Sequence, residues 1–243
     1  MKLDLHIHSV YSDGCCTPEE IASRIKALGL HGFAITDHNK VGSWKRAAEA
    51  AKNLGLLFVP GVELAVYANS KQGKGSKPIK YGELLALFLN EEIRIKQVLS
   101  NLPEIIDEIH DQGGIAAIPH PMGDNIRVQM VTDYAKEHKL KIDAIETING
   151  RCSAMQNARS MEYALKEKKA QIGGSDAHHR KEIGTVYTFA EAYSLEDFRK
   201  CIKKGLSKAI GVQKSPAEIN YNRVLCRFNY VFRGSKLEAG RRM

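Results

Sequence analysis

Short apolar runs alternate with amphipathic stretches along most of this chain. The first run, Lys2–His8, has the length and composition of a strand. It is followed by "TPEE", in which Thr17 is placed as an N-cap, Pro18 at the first helical position and Glu20 at the capping-box position, so a helix is predicted up to Gly29. The same alternation then repeats. Strand Gly32–His38 precedes a helix beginning at Ser43 and closed by Gly55, and a strand over "LLFVPGVEL" ends near Glu63. A Lys- and Gly-rich stretch, Asn69–Lys80, reads as a hairpin tip, and "YGELLALFL" as the strand after it. Helices over Val98–Gln112, Arg127–His138 and Ser153–Lys168 are interleaved with strands "GIAAIPHP", "IDAIETING" and "AQIGGSDAH"; "GTVYTF", a capped helix "SLEDFRKCIKKG" and "KAIGV" complete the series.

Repeated strand–helix units imply a parallel sheet. About seven of them in 243 residues favour a closed α/β barrel in one domain over an open sheet. No linker rich in Gly, Pro or Ser divides the chain. The domain is expected to span residues 1–216, with a basic tail over 217–243 that packs as a helix and frays at its end.

The polar residues that interrupt the apolar pattern collect at the C-terminal ends of the strands. They are His6 and His8, Asp37 and His38, Glu63, His120, Glu146 and Asn149, and Asp176 and His178. In a parallel barrel those ends form one rim, where active sites lie. In a strand, His6 and His8 share a face, opposite Leu3, Leu5 and Ile7. Five imidazoles with carboxylates and no cysteine ligand suit a borderline or hard divalent ion such as Zn, Mn or Fe, and a set this large suits two or three ions.

The rest of the composition adds smaller constraints. An excess of 36 Lys+Arg over 28 Asp+Glu suits an anionic substrate and equally a merely basic soluble protein. Five cysteines without a CxxC spacing argue against a disulfide framework or a cysteine zinc site, and for a cytoplasmic setting. The N-terminus lacks a signal-peptide pattern, and the longest apolar run, Leu84–Leu89, is too short to cross a membrane. No obligate protein partner is evident.

In order, "DLHIHSVYSDG", "TDH", "GVEL", "IPHP" and "GGSDAH" resemble the motifs of the PHP (polymerase and histidinol phosphatase) family, over residues 2 to about 212. The resemblance implies a distorted (β/α)7 barrel, a cluster of divalent ions and hydrolysis of phosphate esters, whose substrate is a phosphorylated small molecule or a nucleic-acid end. It also implies a ligand set. His6, His8 and Asp176 would hold a first ion and Glu63 would bridge to a second that His120 binds; Asp13, His38 and His178 would hold a third. A family histidine on the strand after the hairpin is replaced here by Leu85, and Glu83, two residues back on the same face, is the available substitute. Arg151 is the first candidate for gripping phosphate and Arg180 the second. Two other readings fit the same motifs: hydrolysis of an amide by the same metal cluster, and a metal-binding module without catalysis.

Overall fold

The computed structural model describes residues 1–68, 79–123, 126–222 and 224–226. Residues 69–78 of the Lys-rich stretch expected as a hairpin tip, and the end of the basic tail, lie outside these residues. Seven strands follow one another around a barrel: β1 (Lys2–Asp4), β2 (Gly32–Ile35), β3 (Leu57–Tyr67), β4 (Lys80–Leu87), β5 (Ile115–Ile118), β6 (Ala144–Asn149) and β7 (Ala170–Gly174). Two more, β8 (Val186–Phe189) and β9 (Lys208–Gly211), pair beyond β1. Helices α1 (Pro18–Ala27), α2 (Trp44–Asn53), α3 (Leu102–Asp111), α4 (Ile126–Glu137), α5 (Ala154–Lys166) and α6 (Leu195–Lys203) connect or follow them. Residues 216–222 and 224–226 are also helical, so a helix begins where the tail was expected.

The barrel closes differently at its two ends. Near the start of β1, β8 runs antiparallel beside it, with Leu3 opposite Thr188. Thr188 in turn reaches β7, where its hydroxyl lies 2.9 Å from both the N–H and the carbonyl of Gly173. Beyond Asp4 the chain meets the segment that follows β7: Ile7 bridges Ala177 in parallel, and the N–H of His8 donates to the Ala177 carbonyl at 2.9 Å. The outcome is a single α/β domain whose sheet is nearly a closed barrel.

Two sequence expectations change. The sheet is mixed, because β4 runs antiparallel to both β3 and β5. β3 and β4 pair antiparallel along their length, as two strands joined by the hairpin expected between them must. The simple alternation expected along the first strand also fails. Leu3 and Leu5 pack in the barrel interior with Ala34, Val59, Leu85 and Ala117, whereas Ile7 packs outside against Ile21, Ile25 and Phe33. The side-chain phase therefore shifts between Leu5 and His6, where the backbone leaves the ladder and the His6 N–H turns to the Asp4 carboxylate at 3.3 Å. The shift lets Leu5 and His6 both serve the interior, one as floor and the other as site.

The outer faces of β3–β6 bury Val62, Leu64, Leu84, Ala116 and Ile118 under α3, α4 and α5. The inner face carries Glu83, Leu85 and Leu87, with Leu85 paired in register to Glu63. Leu85 is fully buried and forms part of the apolar layer beneath the polar rim. Its truncation to Ala should cost ~2–5 kcal/mol, the range for a buried leucine. Urea unfolding of Leu85→Ala checks this, and a loss under 1 kcal/mol would mean that the floor is not packed as described.

Candidate metal centre

The loop between β1 and α1 is set by local chemistry. Thr17 and Glu20 form the expected capping box, with the Thr17 hydroxyl accepting from the Glu20 N–H and the Glu20 carboxylate from the Thr17 N–H. The buried Asp37 carboxylate accepts from the Ser9 N–H, the Ser9 hydroxyl and the Ser12 hydroxyl, each at 2.7 Å. Gly14 passes so close to β1 that a Cβ there would lie 2.1 Å from the His8 carbonyl oxygen, so a side chain does not fit. These constraints carry Asp13 back over the barrel mouth, with its carboxylate 3.2 Å from His178 Nε2 and 3.7 Å from His38 Nε2.

Glu63 occupies the centre of the mouth and is buried. Its Oε1 lies 3.1 Å from His120 Nε2 and 3.5 Å from His6 Nε2; its Oε2 lies 3.0 Å from His38 Nδ1 and 3.4 Å from His8 Nε2. Asp176 Oδ1 is 3.3 Å from His8 Nε2 and 3.8 Å from His6 Nε2. All eight residues expected as ligands thus meet at one rim. Glu83 joins them, 3.6 Å from both His38 and His120 and ion-paired to Lys80. Three sets bring their donor atoms within 4.8 Å of one another: His6–His8–Asp176, His8–Asp13–His38–His178 and His38–Glu63–Glu83. The first coincides with the expected first set and the second contains the expected third. The remaining set holds Glu83 in place of the His120 expected beside Glu63.

The donor chemistry fits divalent ions. His6 Nδ1 faces Glu146 Oε1 at 3.0 Å, so its proton points there and its Nε2 lone pair is aimed inward, 3.2 Å from His8 Nε2. His178 Nδ1 likewise donates to the Asp176 carbonyl at 2.9 Å, which leaves Nε2 for the mouth. The Nδ1 atoms of His8 and His38 are buried with no hydrogen-bond partner among the described residues; His38 Nδ1 stands 3.0 Å from Glu63 Oε2 without hydrogen-bond geometry. Inward-facing nitrogen lone pairs clustered on carboxylate oxygens are what a cation requires, and outer groups that fix the tautomer are the usual supports of metal-binding histidines. The Asp13 side chain is 55% exposed and that of His38 31%, so the mouth opens on their side.

Several supporting residues had no assigned role in the sequence. Glu146 orients His6 with one oxygen and accepts from the His120 N–H and from Asn149 Nδ2, both at 2.9 Å, with the other. Asp4 accepts from the Ser175 N–H and hydroxyl and from the Gly184 N–H, tying β1 to the strand that carries Asp176. Two rim residues adopt positive φ, His120 at 30° and Asp176 at 51°. Such backbone is costly and tends to occur at functional sites. Among the arginines, Arg151 has its Nη1 buried without a hydrogen-bond partner among the described residues, and its charge helps hold Asp176 ionised. Arg180 is exposed. His110, away from the rim, pairs with Asp143 at 2.8 Å.

The charges in the cluster reinforce one another. Burial is the largest influence on the His6, His8 and His120 imidazoles and pushes them down, but the surrounding carboxylates outweigh it. His6 is raised well above its ordinary value, and His8 and His120 to about 9. Burial likewise pushes Glu63 and Asp176 up, and the facing imidazoles more than offset it, holding both carboxyls well below their ordinary values. With raised imidazole pKa values, proton uptake stabilises the metal-free protein fully below about pH 6.5, and that contribution is lost as pH rises through about 9. Ions compete with those protons. The melting temperature gained on adding Mn²⁺ to chelator-treated protein should therefore be small at pH 6.5 and larger at pH 9. A gain that is constant or shrinks over that range, followed by thermal unfolding, would contradict the proton count.

The comparisons with known proteins agree with this geometry. The PHP domain pattern matches residues 4–213. An uncharacterized protein of Methanocaldococcus jannaschii is 32% identical over 191 residues, 77% of this chain and 69% of that protein. A 3',5'-nucleoside bisphosphate phosphatase of Chromobacterium violaceum is 44% identical over 65 residues, which are 27% of this chain and 23% of the phosphatase. The fold superposes with a TM-score of 0.67 and 21% identity on a two-domain protein of Bacteroides vulgatus described as containing a predicted PHP-like metal-dependent phosphoesterase; the match covers 87% of this chain and 65% of that one. The rim of histidines and carboxylates and the match over residues 4–213 give the same answer: the chain belongs to the PHP-domain family.

Proposed function

We propose that this protein is a metal-dependent hydrolase of phosphate esters, working at the rim built by His6, His8, Asp13, His38, Glu63, His120, Asp176 and His178. The observation that carries the reading is the convergence of five imidazoles on the carboxylates of Glu63, Asp176, Asp13 and Glu83 in a PHP-family chain. Two or three divalent ions, of Zn, Mn or Fe character, suit the donor set. When bound, such ions supply an activated water at neutral pH and positive charge for the phosphoryl oxygens. Glu63 presents its two oxygens to different histidine pairs, which suits a carboxylate shared between neighbouring ions. Glu83 takes the place left by Leu85.

The chain's own residues do the rest. Glu146 and the Asp176 carbonyl hold the protons of His6 and His178 outward. Arg151 is the phosphate grip. Its buried N–H, without a partner among the described residues, has a desolvation cost that an anionic oxygen would relieve, and this favours a phosphate over an amide substrate. The substrate is a phosphomonoester or a nucleotide or oligonucleotide phosphodiester; the likeness to a nucleoside bisphosphate phosphatase leans towards a nucleotide. No helix among the described residues is long and apolar enough to cross a membrane. The odd number of cysteines without a CxxC spacing supports a cytoplasmic setting.

The direct test is a panel of chromogenic phosphomonoesters and phosphodiesters with chelated protein reloaded with Mn, Zn or Fe. Turnover that returns with metal is expected, and no turnover of any phosphoester would leave the metal-binding module as the better account. Arg151→Ala should leave metal content unchanged and weaken phosphate binding by ~1.5–3 kcal/mol, the range for hydrogen bonds to charged groups. Competition by inorganic phosphate measures it, and unaltered competition would make Arg151 a bystander. Glu83→Gln should release one ion to dilute chelator ahead of the parent protein, and metal analysis after dialysis would show whether it does.

A further inference from the structure

The helix over residues 216–222 reaches the metal rim from outside the barrel. Its buried face carries Ile219 and Asn222, and Cys226 lies just beyond. Asn222 is 3% exposed and Glu182 is 1% exposed. Asn222 Nδ2 donates to Glu182 Oε1 at 3.1 Å. The other Glu182 oxygen accepts from the His178 N–H at 2.8 Å and the His179 N–H at 3.0 Å. The carbonyl of His178 is held as well, by the Cys15 N–H at 2.8 Å and the Cys226 thiol at 3.1 Å. His178 is thus gripped on both sides of its backbone; the terminal helical segment supplies one grip directly, the Cys226 thiol, and backs the Glu182 grip through Asn222. A buried carboxylate needs hydrogen bonds to both of its oxygens. Among the described residues Asn222 supplies the one that Oε1 receives, and so fixes how Glu182 presents Oε2 to the loop.

We propose that Asn222 is a positioning residue of the metal centre, acting through Glu182 to fix His178 against Asp13. The terminal helix is then a structural part of the site and not an appendage to the barrel. The inference deepens the phosphoesterase reading and rests on it, because it takes His178 as a ligand. Outer groups of this kind typically change metal affinity by 10–100-fold.

The test is a Mn²⁺ titration of chelator-treated full-length protein by calorimetry, with folding of every variant checked by circular dichroism at the titration temperature. Asn222→Ala should weaken one class of site about tenfold or more and leave the tightest class unchanged. Asn222→Asp separates a donor role from simple packing. Asp matches Asn in shape but cannot donate when ionised and would face the Glu182 carboxylate, so the proposal requires Asp to be at least as damaging as Ala. If packing alone mattered, Asp would be the milder change, and that ranking would overturn the proposal. Glu182→Gln keeps the side-chain size, adds a donor where only donors face it and should weaken the same class of site. If the Asn222 variants fail to fold, Glu182→Gln decides alone, and affinities equal to the parent's in any folded variant of the three overturn the proposal. A parent protein that itself binds no Mn²⁺ would sink the phosphoesterase reading together with this one; normal parent binding with unchanged variants would sink this one only.

Discussion

A carboxylate with almost no solvent contact, surrounded by four imidazoles, can exist only if charge is balanced across the whole group. Glu63 is that carboxylate. Each of its oxygens faces two histidines within 3.5 Å, and those histidines come from the ends of β1 and β5 and from the loop after β2. Removing one partner would leave one Glu63 oxygen with a single imidazole and weaken the balance that keeps the buried charge tolerable. The rest of the rim can be understood as the means of holding those imidazoles so that their lone pairs converge: Glu146 behind His6, the Asp176 carbonyl behind His178, and the Asp37-bound loop that brings Asp13 over the mouth.

Much of this was legible in the sequence, because a buried imidazole at a strand end breaks the apolar pattern visibly and five such breaks in order are hard to produce by chance. The helix boundaries were equally readable where caps fix them, as at Thr17 and Ser153. What could not be read has physical reasons. Alternation predicts a face only while the strand stays in its ladder, and β1 leaves its ladder after Asp4, so the faces assigned to Leu3 and Leu5 were inverted relative to His6. The antiparallel pairing of β4 with β3 follows from the hairpin read between them, but its antiparallel pairing with β5 leaves no trace in its composition. Glu182 and Asn222 are ordinary polar residues in helical or loop sequence; only the fold, which brings positions 40 apart into contact, gives them a role.

Tight backbone approach is the second condition on the site. Gly174 leaves no room for a Cβ, which would fall 2.3 Å from the His6 Cβ and 2.9 Å from Glu146 Oε1. Gly150 is similarly pressed against the Ser175 carbonyl. The strands carrying His6, Glu146 and Asp176 are therefore closer at the rim than side chains would permit. This is how rim groups from three neighbouring segments reach one another while the apolar layer headed by Leu85 stays filled below.

The seam between β1 and β7 has a consequence for how the molecule assembles. Asp4 and Ser175, which clasp each other across it, are 171 positions apart in the chain. Closing a loop of that length costs roughly 4–5 kcal/mol of chain entropy beyond a constant term. Contacts so remote in sequence are slow to form. The barrel can build from β2 through β6 out of neighbouring units, but His6, His8 and Asp176 come together only when the last parallel strand docks on the first. The proposed ligand set is therefore finished late in folding, and an ion bound there would act as a clasp on the final closure.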